Sequence, residues 1–164
     1  MKICNPTPTG TVELAEYDAA FLEHSWRWLN DPVIKKLTMT PDFSREGQQQ
    51  WFQSLPGKTD YLIFGITLAK RPIGACGLKN ITASDAEYWG YIGESEFWGM
   101  GLGRQLLSAM FDLGRRRGLV SLWLKVAADN RRAIRLYEHC GFVAVSAQEG
   151  VLVMSAPIAP VSEQ

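Results

Sequence analysis

Three stretches of this chain hold residue types at spacings that could do chemistry. The first is Gly99-Met100-Gly101-Leu102-Gly103-Arg104, in which glycines at alternate positions lead into a helical stripe of Leu102, Leu106, Met110 and Leu113. A glycine turn at the start of a helix aims unpaired backbone N–H groups, and the positive end of the helix dipole, at whatever occupies it. Without side chains the main chain can approach an anion closely, which suits a pyrophosphate. Glycines serving only a tight turn would look the same, since an isolated Gly-x-Gly is weak evidence. Two better-defined phosphate motifs are excluded. No Lys-Ser/Thr pair closes the loop, and no acidic residue follows at the spacing of a parallel dinucleotide unit.

The second stretch, residues 129–142, follows one strand later. Asn130 can cap a helix, Ala133, Leu136, Tyr137 and Cys140 share one face of it, and Gly141 ends it in a left-handed cap. Packing alone would account for this helix, but not for its pairing with the glycine loop across a single strand. The third stretch is Glu87-x-Trp89-x-Tyr91, whose alternation sets a carboxylate and two rings on one strand face. Loss of water around a carboxylate strengthens it as a base, whereas a carboxylate at a strand end in water, or paired with an arginine, would do nothing of the kind.

Both phosphate cradle and carboxylate need a frame. Residues 11–14 read as a short strand, and Asp18 then starts a helix that keeps Phe21, Leu22, Trp28 and Leu29 at helical spacing until Asp31-Pro32 stops it. A second helix starts at Ser44, buries Trp51, Phe52 and Leu55, and ends before Pro56. Residues 61–67 and 73–78 are β-rich runs joined across Lys70-Arg71-Pro72, an antiparallel pair, and residues 87–93 form a third run. Helix (102–117), strand (119–126), helix (130–140) and strands from Phe142 and Val151 complete the order. The class is α/β with a mixed sheet, antiparallel first and crossing over later, flanked by about four helices.

At 164 residues and 46% hydrophobic, the chain builds one core, so residues 1–156 read as a single domain and 157–164 as a frayed tail. The 17 basic and 17 acidic residues cancel, which leaves no field to gather nucleic acid or an anionic membrane. Met1-Lys2 is followed by Cys4, Asn5 and Pro6 rather than by an apolar leader, so a cytoplasmic protein is expected. Cys4, Cys76 and Cys140 have the spacing of neither a metal site nor a disulfide framework and read as free thiols.

Jointly, the glycine loop and the second helix resemble the GNAT acetyltransferases, and the resemblance runs from residue 11 to about residue 155. That family carries a Gln/Arg-x-x-Gly-x-Gly/Ala loop, a strand, and an Asn-x-x-Ala/Ser-x-x-Leu-Tyr-x-x-x-Gly-Phe helix. Trp98-x-x-Gly101-x-Gly103 matches the first motif, and Asn130, Ala133, Leu136, Tyr137, Gly141 and Phe142 match the second. Trp98 replaces the usual Gln or Arg, and the aromatic-Trp-Gly-x-Gly opening is similar to the branch holding ribosomal-protein N-terminal and amino-sugar acetyltransferases. The resemblance implies acetyl-coenzyme A as co-substrate and no metal. Its pyrophosphate would lie on Gly99, Met100, Gly101 and Gly103, with Trp98, Arg104, Asn130 and Arg135 around it. Its pantetheine would enter where residues 87–93 and 119–126 splay apart, beside Tyr91 and Gly93. Arg104, Arg131, Arg132 and Arg135 are near enough to reach a 3′-phosphate, or else form a solvated face.

Amide formation would then need a base, since an alkylamine of pKa near ~10.4 is charged at neutral pH, and an acid for a thiolate of conjugate pKa near ~8.5. Tyr137 matches the family's general acid. Glu87 is the first choice for the base, although many relatives use a water chain; His24 and His139 read as ordinary residues. The ending of the first helix resembles transferases of nucleotide-linked amino sugars and also protein N-terminal acetyltransferases. On that likeness Trp28 would stack on the acceptor and Asp31 would accept from its ammonium, or they would be a core residue and a helix stop. A small-molecule amine ranks first as acceptor and a protein N-terminus second. A non-catalytic acyl-coenzyme A-binding module is the rival class, and a homodimer is compatible with all of these.

Overall fold

Strand formers separated by tight turns build a single sheet in the computed structural model, which describes residues 10–160. Its strands are β1 (Val12–Glu16), β2 (Leu62–Leu68), β3 (Arg71–Lys79), β4 (Asp85–Ile92), β5 (Ser121–Ala127), β6 (Val143–Gln148) and β7 (Val151–Pro157), in the order β1-β2-β3-β4-β5-β7-β6. β1 to β4 pair antiparallel, β4 and β5 pair parallel, and β5, β7 and β6 pair antiparallel. The sheet is mixed in the sense expected, because only the β4-α4-β5 segment crosses over.

The helices are α1 (Ala19–Leu29), α2 (Pro32–Leu37), α3 (Arg45–Ser54), α4 (Leu102–Arg116) and α5 (Arg131–His139). Side chains cap four of them. Asp18 accepts from Phe21 N, Asp31 from Val33 N and Ile34 N, Ser44 from Gly47 N, and Asn130 from Ala133 N. Among the described residues there are five helices rather than about four, because Asp31-Pro32 ends α1 and also starts α2. Proline at a first helical position gives up an N–H that has no helical partner anyway, and its fixed φ fits the turn. Six residues are too few for a helical period to register in the sequence.

Alternation along β4 divides the molecule into two cores. Ala86 and Tyr88 face the cluster built with Leu102, Leu106, Leu107 and Met110 of α4, against which Leu136 and Tyr137 of α5 pack. Trp89 and Tyr91 face the opposite cluster of Tyr17, Phe21, Leu22 and Trp28, with Trp51 and Phe52 of α3 against it. Residues 157–159, expected in a frayed tail, are held by the fold. Pro157 ends β7, Ile158 is buried and donates its N–H to Val120 O at 2.8 Å, and Arg115 Nε donates to Ala159 O at 2.9 Å. Residues 161–164, like Cys4, lie outside the described residues. Cys76 and Cys140 are free thiols. Among the described residues no helix is long and apolar enough to cross a membrane, and no group of three or more His, Cys, Asp or Glu is placed to hold a metal.

Candidate active site

The parallel pairing of β4 with β5 covers only Asp85↔Ser121, Ala86↔Leu122 and Glu87↔Trp123. Beyond Glu87 the strands part: β5 keeps its partner β7 as far as Ala127, while Tyr88 to Ile92 have no strand neighbour on that side among the described residues. The gap opens into a cavity of about 1210 Å³, lined by β4 from Glu87 to Ile92, by Lys125 and Val126 of β5, by the glycine turn, and by one face of α5.

Over one end of this opening lies the turn before α4. Gly99 and Gly101 take φ of +81° and +78°, the left-handed region that costs an L side chain roughly 1–2 kcal/mol. Gly101 is the N-cap of α4 and offers no side-chain acceptor, so the first-turn N–H groups lack the capping bond that the other four helices have. A Cβ added at Gly101 would meet nothing within 4 Å, whereas one at Gly103 would stand 2.8 Å from Leu136 Cδ2. The first glycine leaves space above the turn; the second lets α4 and α5 meet. Trp98 folds back, its Nε1 donating to Ile92 O at 2.8 Å.

Tyr137 stands on the α5 wall. Its ring meets Tyr88 and Phe142 edge-on, with centroids 6.4 and 5.8 Å apart, and its hydroxyl makes no hydrogen bond within the described residues. Burial, with Cys140 adding to it, pushes the phenol up to about 12. The proton-bearing form is therefore the one present at any neutral pH. Glu87 sits at the apex where the strands separate and is 5% exposed. Asn80 Nδ2 donates to its Oε1 at 2.9 Å, and Lys79 Nζ lies 3.7 Å from its Oε2. A buried carboxylate with these two partners is not the solvated strand end that the sequence left open. The opening thus sets a proton donor and a carboxylate on one cavity, below an uncapped helix N-terminus.

The pattern of the Acetyltransferase (GNAT) family matches residues 21–142. The chain is a member of that family. Over 82 residues it is 37% identical to the [ribosomal protein bS18]-alanine N-acetyltransferase of Salmonella typhimurium, a match covering 50% of this chain and 55% of that relative. The spermidine N-acetyltransferase of Vibrio cholerae, solved in complex with CoA and spermine, superposes with a TM-score of 0.80 at 23% identity, covering 90% of this chain and 96% of that one. A domain from Methanocaldococcus jannaschii superposes with a TM-score of 0.81 at 20% identity, covering 90% and 98%. At these identities the two structures establish the fold.

Within this GNAT fold, Tyr91, Trp98, Gly99, Gly101, Gly103, Arg104 and Asn130 line the opening, and Gly93, Met100 and Arg135 do not. Gly93 is committed elsewhere. Its N–H donates to Ile73 O at 2.6 Å, and a Cβ there would overlap the Trp28 ring at 2.3 Å. Arg135 is exposed and off the lining face of α5, where Arg132 stands instead, its Nη2 2.8 Å from the Cβ position of Gly99. Of the four arginines that the sequence offers for a phosphate, Arg104 and Arg132 line the opening, Arg132 because it lies one helical turn before Leu136.

The two acceptor residues are placed by the structure in the frame. Trp28 is 1% exposed, donates Nε1–H to Glu94 at 3.1 Å and packs edge-on to Tyr91 at 6.1 Å, so neither ring face is open to a ligand. Asp31 is spent on capping α2. The cavity wall on the side of α1 and α3 is made by Tyr17, Trp51, Tyr61 and Trp89, residues whose spacing in the sequence marks them only for packing or not at all. Behind it Ser25 accepts from Tyr17 at 2.6 Å and from Tyr91 at 3.2 Å, both phenols being held above their ordinary value chiefly by burial.

Proposed function

We propose that this protein transfers the acetyl group of acetyl-coenzyme A to a primary amine of a small molecule. The observation that carries the reading is the parting of β4 from β5 directly after Glu87↔Trp123, which turns an unpaired strand edge toward the same cavity that the uncapped start of α4, Tyr137 and Glu87 line. Acetyl-coenzyme A supplies an activated thioester when bound. First-turn N–H groups of α4 hold its pyrophosphate above Gly101, Arg104 and Arg132 add positive charge beside it, and the free edge of β4 near Tyr91 pairs with pantetheine. Glu87 takes the proton that the ammonium must lose before attack. Tyr137 delivers one to the departing sulfur as the C–N bond forms and the C–S bond breaks. Orientation in the opening contributes a further share of the acceleration.

The nucleotide-linked amino sugar expected from the sequence loses the two side chains that suggested it, since Trp28 and Asp31 are used by the fold. A protein N-terminus is the second reading. It is supported by the named activity of the Salmonella relative and by the exposed apolar side chains of Leu37 and Met39 at the cavity wall. Calorimetry with acetyl-coenzyme A, followed by thiol release on addition of amines, tests both. Binding with amine-dependent release is expected; binding without release by any amine or peptide would leave a non-catalytic binding module.

A further inference from the structure

We propose that the acceptor is a primary amine on a flat apolar body that also carries an anionic group, the chemistry of an aromatic amino acid. This rests on the acetyl-transfer reading above. Among the described residues five charged side chains line the cavity: Lys79, Glu87, Arg104, Lys125 and Arg132. Arg104 and Arg132 flank the glycine turn and belong to the phosphate end. The other three share one face of the sheet, because Glu87 is in register with Trp123, and Lys125 lies two residues beyond it on the arm of β5 that leaves β4.

Their charges do not cancel. Glu87, the only carboxylate of the described lining, is already matched by Lys79 at 3.7 Å and by Asn80. Lys125 has no carboxylate partner among the described residues; its ammonium stands 5.9 Å from the Trp123 ring centroid. The acceptor end therefore carries one uncompensated positive charge. A polyamine would bring several more to a wall with a single, matched carboxylate, and like charges at such range repel. A molecule with both an amine and a carboxylate would lay its anion on Lys125 and its amine at Glu87.

The remaining wall selects the body. Tyr17, Trp51, Tyr61 and Trp89 form a chain of ring contacts with successive centroids 5.9, 6.3 and 6.2 Å apart, a surface suited to edge and face contacts with another ring. Trp89 Nε1 is buried within that wall with no acceptor among the described residues, so the wall presents ring surface rather than a polar group at this position.

Initial rates of thiol release from acetyl-coenzyme A, measured with phenylalanine and tryptophan, their decarboxylated counterparts phenethylamine and tryptamine, spermidine, glucosamine and an alanine-terminated peptide, test the proposal. kcat/KM for each amino acid should exceed that of its counterpart by roughly 3- to 10-fold, as expected of a partly exposed ion pair, and spermidine should be slower than both. Lys125→Gln, at an exposed site, should keep its Tm and pull that ratio toward one. A ratio untouched by the substitution overturns the proposal, as does faster turnover of spermidine, glucosamine or the peptide than of the aromatic amino acids. Calorimetry run in parallel separates the two levels. Acetyl-coenzyme A bound with no turnover of any aromatic amino acid sinks the acceptor proposal alone, and no binding sinks the reading beneath it as well.

Discussion

The two ends of the cavity are built on different principles. At the α4 end the groups we assign to the acyl donor belong to the main chain: a left-handed turn, an uncapped helix start, and a strand edge freed where β4 leaves β5. At the end we assign to the acceptor they are side chains from four separate stretches of chain, with Tyr17 following β1, Trp51 on α3, Tyr61 preceding β2 and Trp89 on β4. Main-chain recognition requires glycines and caps at fixed offsets, which leave a mark in the sequence. Side-chain recognition requires only that distant residues converge, which leaves none.

Breaking the chemistry should give the largest effect. Tyr137→Phe keeps the ring against Tyr88 and Phe142 but removes the hydroxyl, so turnover should fall roughly 10²- to 10⁴-fold while acetyl-coenzyme A affinity changes little. A rate within about threefold of wild type, with chemistry rate-limiting, would return Tyr137 to the core. The wild-type pH profile gives a companion test. Because burial pushes the phenol up to about 12, deprotonation of Tyr137 would remove activity only near that pH, so no falling limb from this residue should appear between roughly pH 6 and 10.

Trp28→Ala comes next and probes the opposite assignment. A side chain 1% exposed and pressed against Gly93 should cost about 3–5 kcal/mol of stability, measured by denaturant unfolding. A loss under about 1 kcal/mol with a raised acceptor KM would restore it to the acceptor site. Glu87→Gln should lower the rate by up to about 10²-fold near neutrality and progressively less as pH rises, because an amine that is already neutral needs no base. A mutant-to-wild-type ratio constant with pH would assign proton removal to water. The smallest effect belongs to Asp31→Ala, which should cost about 1 kcal/mol through the lost cap of α2 and leave acceptor KM unchanged.

The same contrast explains what the sequence made legible. Every strand and the helices α1, α3, α4 and α5 follow from period and punctuation, and the caps at Asp18, Ser44 and Asn130 lie where capping chemistry puts them. α2 was hidden, because Asp31-Pro32 signals a stop and a start with the same two residues. Of the site proposed above, the glycine turn, Glu87 and Tyr137 were readable from spacing and resemblance. Trp28 and Asp31 were not, since an aromatic residue and a carboxylate at a helix end look alike whether they hold a ligand or the fold. Glu94, which accepts from both Trp28 and Arg27, lies 66 and 67 residues away from them and meets them only in three dimensions.

The central claim is that the turn before α4 holds the acyl donor through its backbone. Gly101→Val tests it most directly, because the added side chain projects into space that is empty in the protein and would be filled by the ligand. Calorimetric titration with acetyl-coenzyme A, alongside a thermal melt, should show one site on the wild type and at least a 10-fold weaker one on a variant that still unfolds cooperatively, since about 1.4 kcal/mol of lost contact suffices for that factor. Wild-type affinity in the folded variant would contradict the claim.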